Sequence, residues 1–133
     1  MQLNRSTDYA IQMLVYLAKA GKTVSSSKLA AAIGVSHRYL LQISAKLRAA
    51  GFIQAAHGPS GGLALDKAPE EISLYDVILG MEGIIKTGEI CGVPSDEVSK
   101  EMLMLKNEYR KTEWRLQQAL KAVTLENILR QDQ

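Results

Sequence analysis

The segment Val24–Leu65 reads VSSSKLAAAIGVSHRYLLQISAKLRAAGFIQAAHGPSGGLAL, two helix-like stretches followed by a glycine-rich hairpin. The first helix is predicted over Ser27–Ile33, and the serines before it can cap it. Gly34 permits a left-handed turn, and Ser36 can cap a second helix. That helix is predicted over residues 37–50, and the glycine that follows is a common C-terminal signal. Two helices joined by a short glycine turn are typical of a helix-turn-helix.

The second helix has two distinct faces. Leu40, Ile43 and Leu47 recur at helical spacing and are predicted to form its buried stripe. The opposite, outward face carries His37, Arg38, Gln42, Lys46 and Ala49. A polar outward face of this kind can enter the major groove of DNA.

A hairpin follows that helix directly. Strands are predicted over Phe52–Ala56 and Leu63–Leu65, with His57–Gly62 as the loop between them. A two-stranded wing after a helix-turn-helix makes a winged-helix domain, and a glycine-rich tip can approach a phosphate backbone closely. The predicted fold is therefore mostly α-helical with a small β-hairpin wing.

Charge is distributed unevenly along the 133 residues, although the net charge is only +2. Residues 1–66 hold seven Lys or Arg and two acids, whereas residues 67–133 hold nine Lys or Arg and twelve acids. The basic half coincides with the predicted winged helix, which favours binding to nucleic acid. Aromatic residues make up only 5% of the chain, so base stacking on an aromatic platform is not expected.

Composition excludes two further classes of protein. The chain has one cysteine, Cys91, so no intramolecular disulfide framework can form. Its apolar runs are shorter than a membrane span, and the first residues lack the hydrophobic core of a signal peptide. We therefore expect a cytoplasmic protein that has no membrane partner.

Helices are predicted on both sides of the winged segment. The first is expected to begin at Ser6, with Ile11 and Val15 forming a second apolar face that another element, such as a second subunit, would cover. After the wing, Ser73 and Asp76 have the spacing of a capping box. These features predict a DNA-binding domain over residues 1–83.

The loop Lys86–Pro94 contains two glycines and a proline, which argues against regular structure. It falls in residues 84–97, between the two halves of the chain, where either a sensory loop or a plain linker is expected. The remaining residues, 98–133, are predicted to form a dimerisation helix and a C-terminal tail.

The longest helix is predicted to begin at Ser95 and to span roughly 39 Å. The core-type positions of this helix alternate four and three residues apart over more than three heptads, which favours packing against another helix. A lone solvated helix is the alternative. A final short turn capped by Thr124 is expected to tuck onto the dimer. The predicted dimerisation stripe comprises Val98, Met102, Leu105, Tyr109, Thr112, Leu116, Ala119 and Val123.

Several segments together resemble the bacterial winged-helix regulators typified by IscR, NsrR and CymR. Thr7–Ala10 is similar to the opening helix of that family, and the tail from Trp114 to Leu129 is similar to its "W … A-L … T-L-x-x-L" pattern. Ser36–Ile43 with Leu47–Ile53 resembles the family pattern "S-x-x-Y-L-E-Q-L … L-R-x-A-G-L-V". Gly58–Gly62 resembles "R-G-P-x-G-G-Y", and Pro69–Gly83 resembles "P-x-x-I-T-L-x-D-V-x-x-x-x-E-G".

The resemblance implies a homodimeric transcription factor, usually a repressor, that binds a pseudo-palindromic operator. It also implies that the long helix crosses to the other subunit and that a sensory site lies in the loop before it. Many members hold an iron–sulfur cluster through three cysteines in that loop, but only Cys91 is present here, with Asp8 at the position of an acid that completes ligation in some members. One thiolate and one carboxylate are too few for a stable cluster, so we expect no cofactor and no metal. Cys91 is then either a thiol sensor or inert.

The residues predicted to contact DNA follow from the helix-turn-helix motif and the family resemblance together. Arg38, Gln42 and His37 are assigned to base edges or flanking phosphates, because Gln suits adenine and Arg suits guanine. Ser36, Tyr39 and Lys46 are assigned to phosphates. The wing residues His57, Gly58, Pro59, Ser60, Gly61 and Gly62 are placed along the backbone or minor groove.

Two departures from the family pattern affect DNA reading. Leu41 replaces a glutamate, so it either contacts a thymine methyl or is partly buried. His57 replaces an arginine, which weakens a phosphate contact.

Two other classes of function were weighed. An enzyme is disfavoured because the glycine-rich loop lacks the spacing and the lysine of a Walker motif, and no Ser, His and acid constellation stands out. A winged-helix module that binds a partner protein is the second alternative, and the positive first half of the chain argues against it.

Overall fold

The computed structural model describes residues 3–83 and 99–131. These residues form a mostly helical chain with one antiparallel hairpin and a long helix near the C terminus, as the sequence predicts. The helices are α1 (Arg5–Ala20), α2 (Ser26–Ile33), α3 (His37–Ala49), α4 (Leu74–Glu82), α5 (Lys100–Lys121) and α6 (Leu125–Arg130), the strands are β1 (Ile53–Ala56) and β2 (Gly62–Leu65), and a 3₁₀ turn covers Pro69–Glu71.

The core gathers side chains from α1, α2, α3, the wing, α4 and α6. Met13 and Leu14 of α1 are fully buried, as are Leu40 and Leu47 of α3, and Ile43 is 2% exposed. Burial of each such side chain contributes about 1.5–3 kcal/mol relative to its exposure. The predicted inner stripe of α3 is therefore confirmed, and it fixes which face of α3 points outward.

Serine caps set the starts of α2 and α3. Ser25 Oγ accepts a hydrogen bond from the backbone N–H of Lys28 at 3.2 Å, and Ser36 Oγ accepts one from the N–H of Tyr39 at 3.1 Å. Gly34 closes α2 with a φ of 77°, in the left-handed region where glycine has no side-chain penalty. The predicted turn is thus confirmed.

The wing is a hairpin in which Ile53 pairs with Leu65 and Ala56 pairs with Gly62. Each strand differs from its prediction by one residue: Phe52 precedes β1, and Gly62 belongs to β2. Val24 adds a bridge on the other side of β2, exchanging backbone hydrogen bonds of 2.9 and 2.8 Å with Leu63. The wing is therefore attached to the segment that leads into α2.

The first helix begins earlier than predicted. Asn4 is in an extended conformation and is the N-cap residue, so Ser6 lies inside the first turn and does not cap it. The backbone N–H of Asn4 points at the carboxylate of Glu82, 3.4 Å away at the end of α4. A contact between elements so distant in the chain could not be seen in the local sequence.

Both α4 and α6 start with capping boxes. Ser73 and Asp76 exchange side-chain-to-backbone bonds of 3.1 and 3.0 Å, which confirms the predicted cap, and Thr124 and Asn127 do the same at 3.1 and 2.9 Å. The two cap residues, Ser73 and Thr124, also form an isolated antiparallel bridge. The starts of the two helices therefore lie side by side.

The last helix packs within its own chain, although the sequence analysis expected it to tuck onto the dimer. Leu125 is fully buried in the same core as α1 and α3, and α6 contacts α1 and the 3₁₀ turn. The backbone N–H of Leu125 donates to the carbonyl of Ile72 at 3.0 Å. Ile11 and Val15, the predicted second face of α1, are half-buried against this core.

The long helix α5 starts later than predicted. Ser99 is extended and caps it through a 3.2 Å bond from the N–H of Met102, so the predicted start at Ser95 is wrong. Its 22 residues span roughly 33 Å, shorter than the roughly 39 Å expected. The predicted sensory loop with Cys91, and Val98 of the stripe, lie outside the described residues.

Candidate nucleic-acid interface

The outward face of α3 is polar, exposed and free of acids. Arg38, Gln42 and Lys46 are all exposed, as the buried leucine stripe on the opposite side requires. Residues 21–65 contain five Lys or Arg and no Asp or Glu, so the two helices and the wing carry only positive formal charge. A surface of this kind attracts the phosphates of a duplex.

The N-terminal end of α3 meets the start of α1. Tyr39 is half-buried, and its ring lies edge-on to that of Tyr9, with centroids 5.9 Å apart. Both tyrosines border a shallow pocket together with Ser36 and Arg5. Free N–H groups at a helix start and a nearby guanidinium suit an anionic oxygen. Sequence reasoning missed Arg5, because it depended on placing the start of α1 two residues earlier.

His37 makes a hydrogen bond within the chain. Its Nε2 lies 2.7 Å from the hydroxyl oxygen of Ser26, in the first turn of α2. This hydrogen bond joins the starts of α2 and α3 and occupies one ring nitrogen. His37 is exposed, so the rest of the ring can still contact a ligand.

The wing tip is exposed at His57, Gly58, Pro59 and Ser60. The N–H of Gly61 donates to the carbonyl of Gly58 at 3.0 Å and closes the turn. The four exposed residues form the part of the predicted wing set that a partner can reach most directly.

Gly61 and Gly62 serve the fold of the chain itself. A Cβ on Gly61 would lie 2.3 Å from the carbonyl oxygen of Ala56, and one on Gly62 would lie 2.2 Å from that of Val24. Gly62 also has a φ of 153°. Gly61 is therefore required for the turn of the wing, and Gly62 for the close approach of the wing to the segment that leads into α2, whether or not DNA approaches them.

A groove runs between α3 and the wing. Leu41, Ala45 and Arg48 of α3 line one side of it, and Ala55 and Ala56 of β1 line the other. Leu41 is 46% exposed, so its side chain is accessible to a ligand. The sequence analysis did not single out Ala45 and Arg48, because their place beside the wing depends on how the hairpin packs.

The predicted dimerisation stripe divides into two rows. Met102, Tyr109, Leu116 and Val123 are half-buried, and α5 contacts α4 of the same chain. Leu105, Thr112 and Ala119 are exposed. Of the seven stripe residues that the structure describes, four are thus half-buried in the single chain and three stay on its surface.

Three large apolar side chains of α5 that lie outside the predicted stripe are exposed. Leu103, Met104 and Trp114 are 51%, 60% and 61% exposed, which is unusual for three large apolar side chains on one helix. Arg110, Lys111 and Arg115 surround Trp114. The heptad count overlooked these residues because it followed a single stripe.

The two residues proposed as a sensor cannot be compared directly. Asp8 is exposed and accepts a hydrogen bond from Gln12 Nε2 at 3.1 Å, while Cys91 lies outside the described residues. Within residues 3–83 and 99–131, no group of three or more His, Cys, Asp or Glu could hold a metal ion. Among the same residues, no helix is both long and apolar enough to cross a membrane.

The family model of Rrf2, described as an iron-dependent transcriptional regulator, matches residues 3–131. The chain belongs to the Rrf2 family. Members of this family are winged-helix transcriptional regulators, so the resemblance drawn from the sequence is confirmed. Protein aau3 of Rhizobium meliloti (strain 1021) is 38% identical over 79 residues, which cover 59% of this chain and about half (51%) of that relative's length.

Solved structures of this Rrf2 fold superpose over nearly the whole chain. CymR (YrzC), the global cysteine regulator of B. subtilis, has a TM-score of 0.81 at 24% identity and covers 96% of this chain and 95% of its own. IscR of T. potens has a TM-score of 0.78 at 25% identity, with coverages of 100% and 89%. CymR of Staphylococcus aureus has a TM-score of 0.74 at 27% identity, with coverages of 94% and 95%.

Proposed function

We propose that this Rrf2-family chain is a homodimeric, sequence-specific DNA-binding regulator that represses transcription from a pseudo-palindromic operator. The observation that carries the proposal is the outward face of α3, where Arg38, Gln42 and Lys46 are exposed between the start of α1 and the wing. The acid-free sequence of residues 21–65 supports the same conclusion. The protein would act in the cytoplasm, where the duplex is accessible.

The proposed roles of the residues follow from their positions. Arg38 and Gln42 lie at the centre of the outward face and would contact base edges, guanine and adenine respectively. Arg5, Ser36 and Tyr39 would hold a phosphate at the start of α3, and Lys46 would hold another on the same flank as Tyr39. The exposed wing tip would lie along the backbone, and His37 would act mainly by joining α2 to α3.

The test begins with selection of bound duplexes from a random pool, followed by titration of the recovered sequence. The double variant Arg38→Ala with Gln42→Ala should lose specific binding, because each bidentate base contact is worth about 1–3 kcal/mol. The matched control is Arg130→Ala with Gln131→Ala, which removes the same two residue types from an exposed site at the end of α6. Unchanged specific binding by the first variant would show that α3 is not the reading helix.

Salt dependence separates this proposal from a winged helix that binds a protein. Release of counterions from phosphates makes the logarithm of the affinity fall by about 0.9 per phosphate contact for each tenfold rise in salt. Arg5→Ala should reduce that slope by about one for each half-site. A slope near zero would favour the protein-interaction module instead.

The proposed dimer rests on α5. Leu105 and Ala119 of the predicted stripe remain exposed in the single chain, so a second copy has apolar surface to cover. Sedimentation at working concentration tests this step, and Leu105→Glu should shift the protein towards a single chain. An effector or a partner protein acting near residues 84–97 would regulate the dimer.

The proposal includes no iron–sulfur cluster and no catalytic activity. One chain supplies a single cysteine, Cys91, whereas the usual ligation of such clusters needs several thiolates, so the donor set does not fit the group. A redox-sensing or iron–sulfur-sensing regulator that uses Cys91 and Asp8 is the alternative. The absorption spectrum of protein purified without oxygen tests for the cluster: iron with a band at ~400 nm would overturn the cluster-free proposal.

A further inference from the structure

The groove between α3 and the wing has a different chemistry from the rest of the outward face. Leu41, Ala45, Ala55 and Ala56 line it, and Arg48 is its charged residue. Arg38, Leu41, Gln42 and Ala45 are three, four and seven residues apart, so they lie on one face of the helix. The groove therefore continues the surface that carries the proposed base-reading residues.

The hydroxyl groups of the groove already have hydrogen-bond partners. Ser26 Oγ lies 2.7 Å from His37 Nε2, and Ser44 Oγ donates to the carbonyl of Leu40 at 2.8 Å. Ser44 is in addition 3% exposed. Apart from the cation of Arg48, the groove offers apolar surface and shape, with little capacity to match the hydrogen-bond pattern of a base.

Thymine is the base whose major-groove edge presents an apolar group, the C5 methyl. Leu41 is the more exposed of the two large apolar side chains, Leu41 and Leu79, that are exposed within residues 3–83, at 46% and 38%. We infer that Leu41, together with Ala45, is a specificity-determining contact that selects thymine through its methyl group. This inference rests on the proposed DNA-binding function and adds a rule for one base position in each half-site.

The experiment replaces thymine by uracil, which removes only the methyl group. In the duplex recovered by selection, each thymine is replaced in turn, symmetrically in the two half-sites, and binding is measured by fluorescence anisotropy. Loss of one buried methyl lowers the affinity about fourfold, so replacement in both half-sites should lower it by about fifteenfold at one position.

The variants assign that methyl to a residue. Leu41→Ala should bind the thymine and uracil duplexes within about twofold of each other, because the side chain that covers the methyl is gone. Leu79→Ala removes an exposed leucine of α4 that does not line the groove, and it should keep the full uracil penalty. Both changes are at exposed positions, so the midpoints of unfolding should stay within a few degrees of the parent protein.

The possible results separate this inference from the function on which it rests. If no duplex is selected, both are wrong. If a duplex is bound specifically and every uracil replacement is neutral, or if Leu41→Ala keeps the penalty, the thymine contact alone is wrong.

Discussion

Thr7→Val should stabilise the protein. Thr7 lies on the inner face of α1 and is fully buried, and its Oγ1 has no hydrogen-bond partner among the residues that the structure describes. A buried hydroxyl without a partner costs about 1–3 kcal/mol in mutational data. Valine keeps the β-branched shape and a similar helix propensity, so the replacement removes this cost without opening a cavity.

The expected gain in the free energy of unfolding is about 1–2 kcal/mol, which for a chain of this length raises the thermal midpoint by roughly 3–8 °C. Urea unfolding followed by circular dichroism, at one fixed protein concentration, should show a higher midpoint with an unchanged slope. Thr23→Val is the matched control, because Thr23 is exposed and the same change there should stay within about 0.5 kcal/mol. A Thr7→Val protein no more stable than its parent would mean that the hydroxyl is satisfied in solution.

Two further predictions concern the scaffold of the proposed interface. Gly62→Ala should destabilise the protein by more than about 2 kcal/mol in urea unfolding, because the added Cβ would overlap a backbone carbonyl oxygen. Gly21 also has a positive φ but has open space around it, so Gly21→Ala should cost about 1 kcal/mol. For the link between α2 and α3, a double-mutant cycle of Ser26→Ala and His37→Ala should give a coupling of about 0.5–1.5 kcal/mol, and strictly additive effects would show that the bond does not contribute.

Local signals made the helix-turn-helix predictable from the sequence. The caps at Ser36 and Ser73 each depend on residues within three positions, and the structure forms both as expected. The buried stripe Leu40, Ile43 and Leu47 is a matter of helical periodicity, so its direction, and with it the outward face of α3, followed from spacing alone. Tertiary packing was not needed for any of these conclusions.

The errors concern features that depend on residues far apart in the chain. The start of α1 at Arg5 puts the extended Asn4 against Glu82, and the docking of α6 depends on a pocket for Leu125 in the core of the winged helix. The heptad count assigned the whole stripe of α5 to a partner helix, although Met102 and three further stripe residues are already half-buried in the single chain. Periodicity shows that a face is apolar but does not show which neighbour covers it.

The bridge between Ser73 and Thr124 attaches the C-terminal end of α5 to the start of α4. The N–H of Leu74 donates to the carbonyl of Val123 at 2.8 Å, so the chain leaving α5 is joined directly to the first residue of α4. Since α4 also contacts α3, a tilt of α5 would be transmitted through this junction to α3, the proposed reading helix. In a dimer with two-fold symmetry, a small change in the angle at which the two α5 helices cross would alter the distance between the two α3 helices. That distance decides how well the two helices match the helical repeat of a duplex.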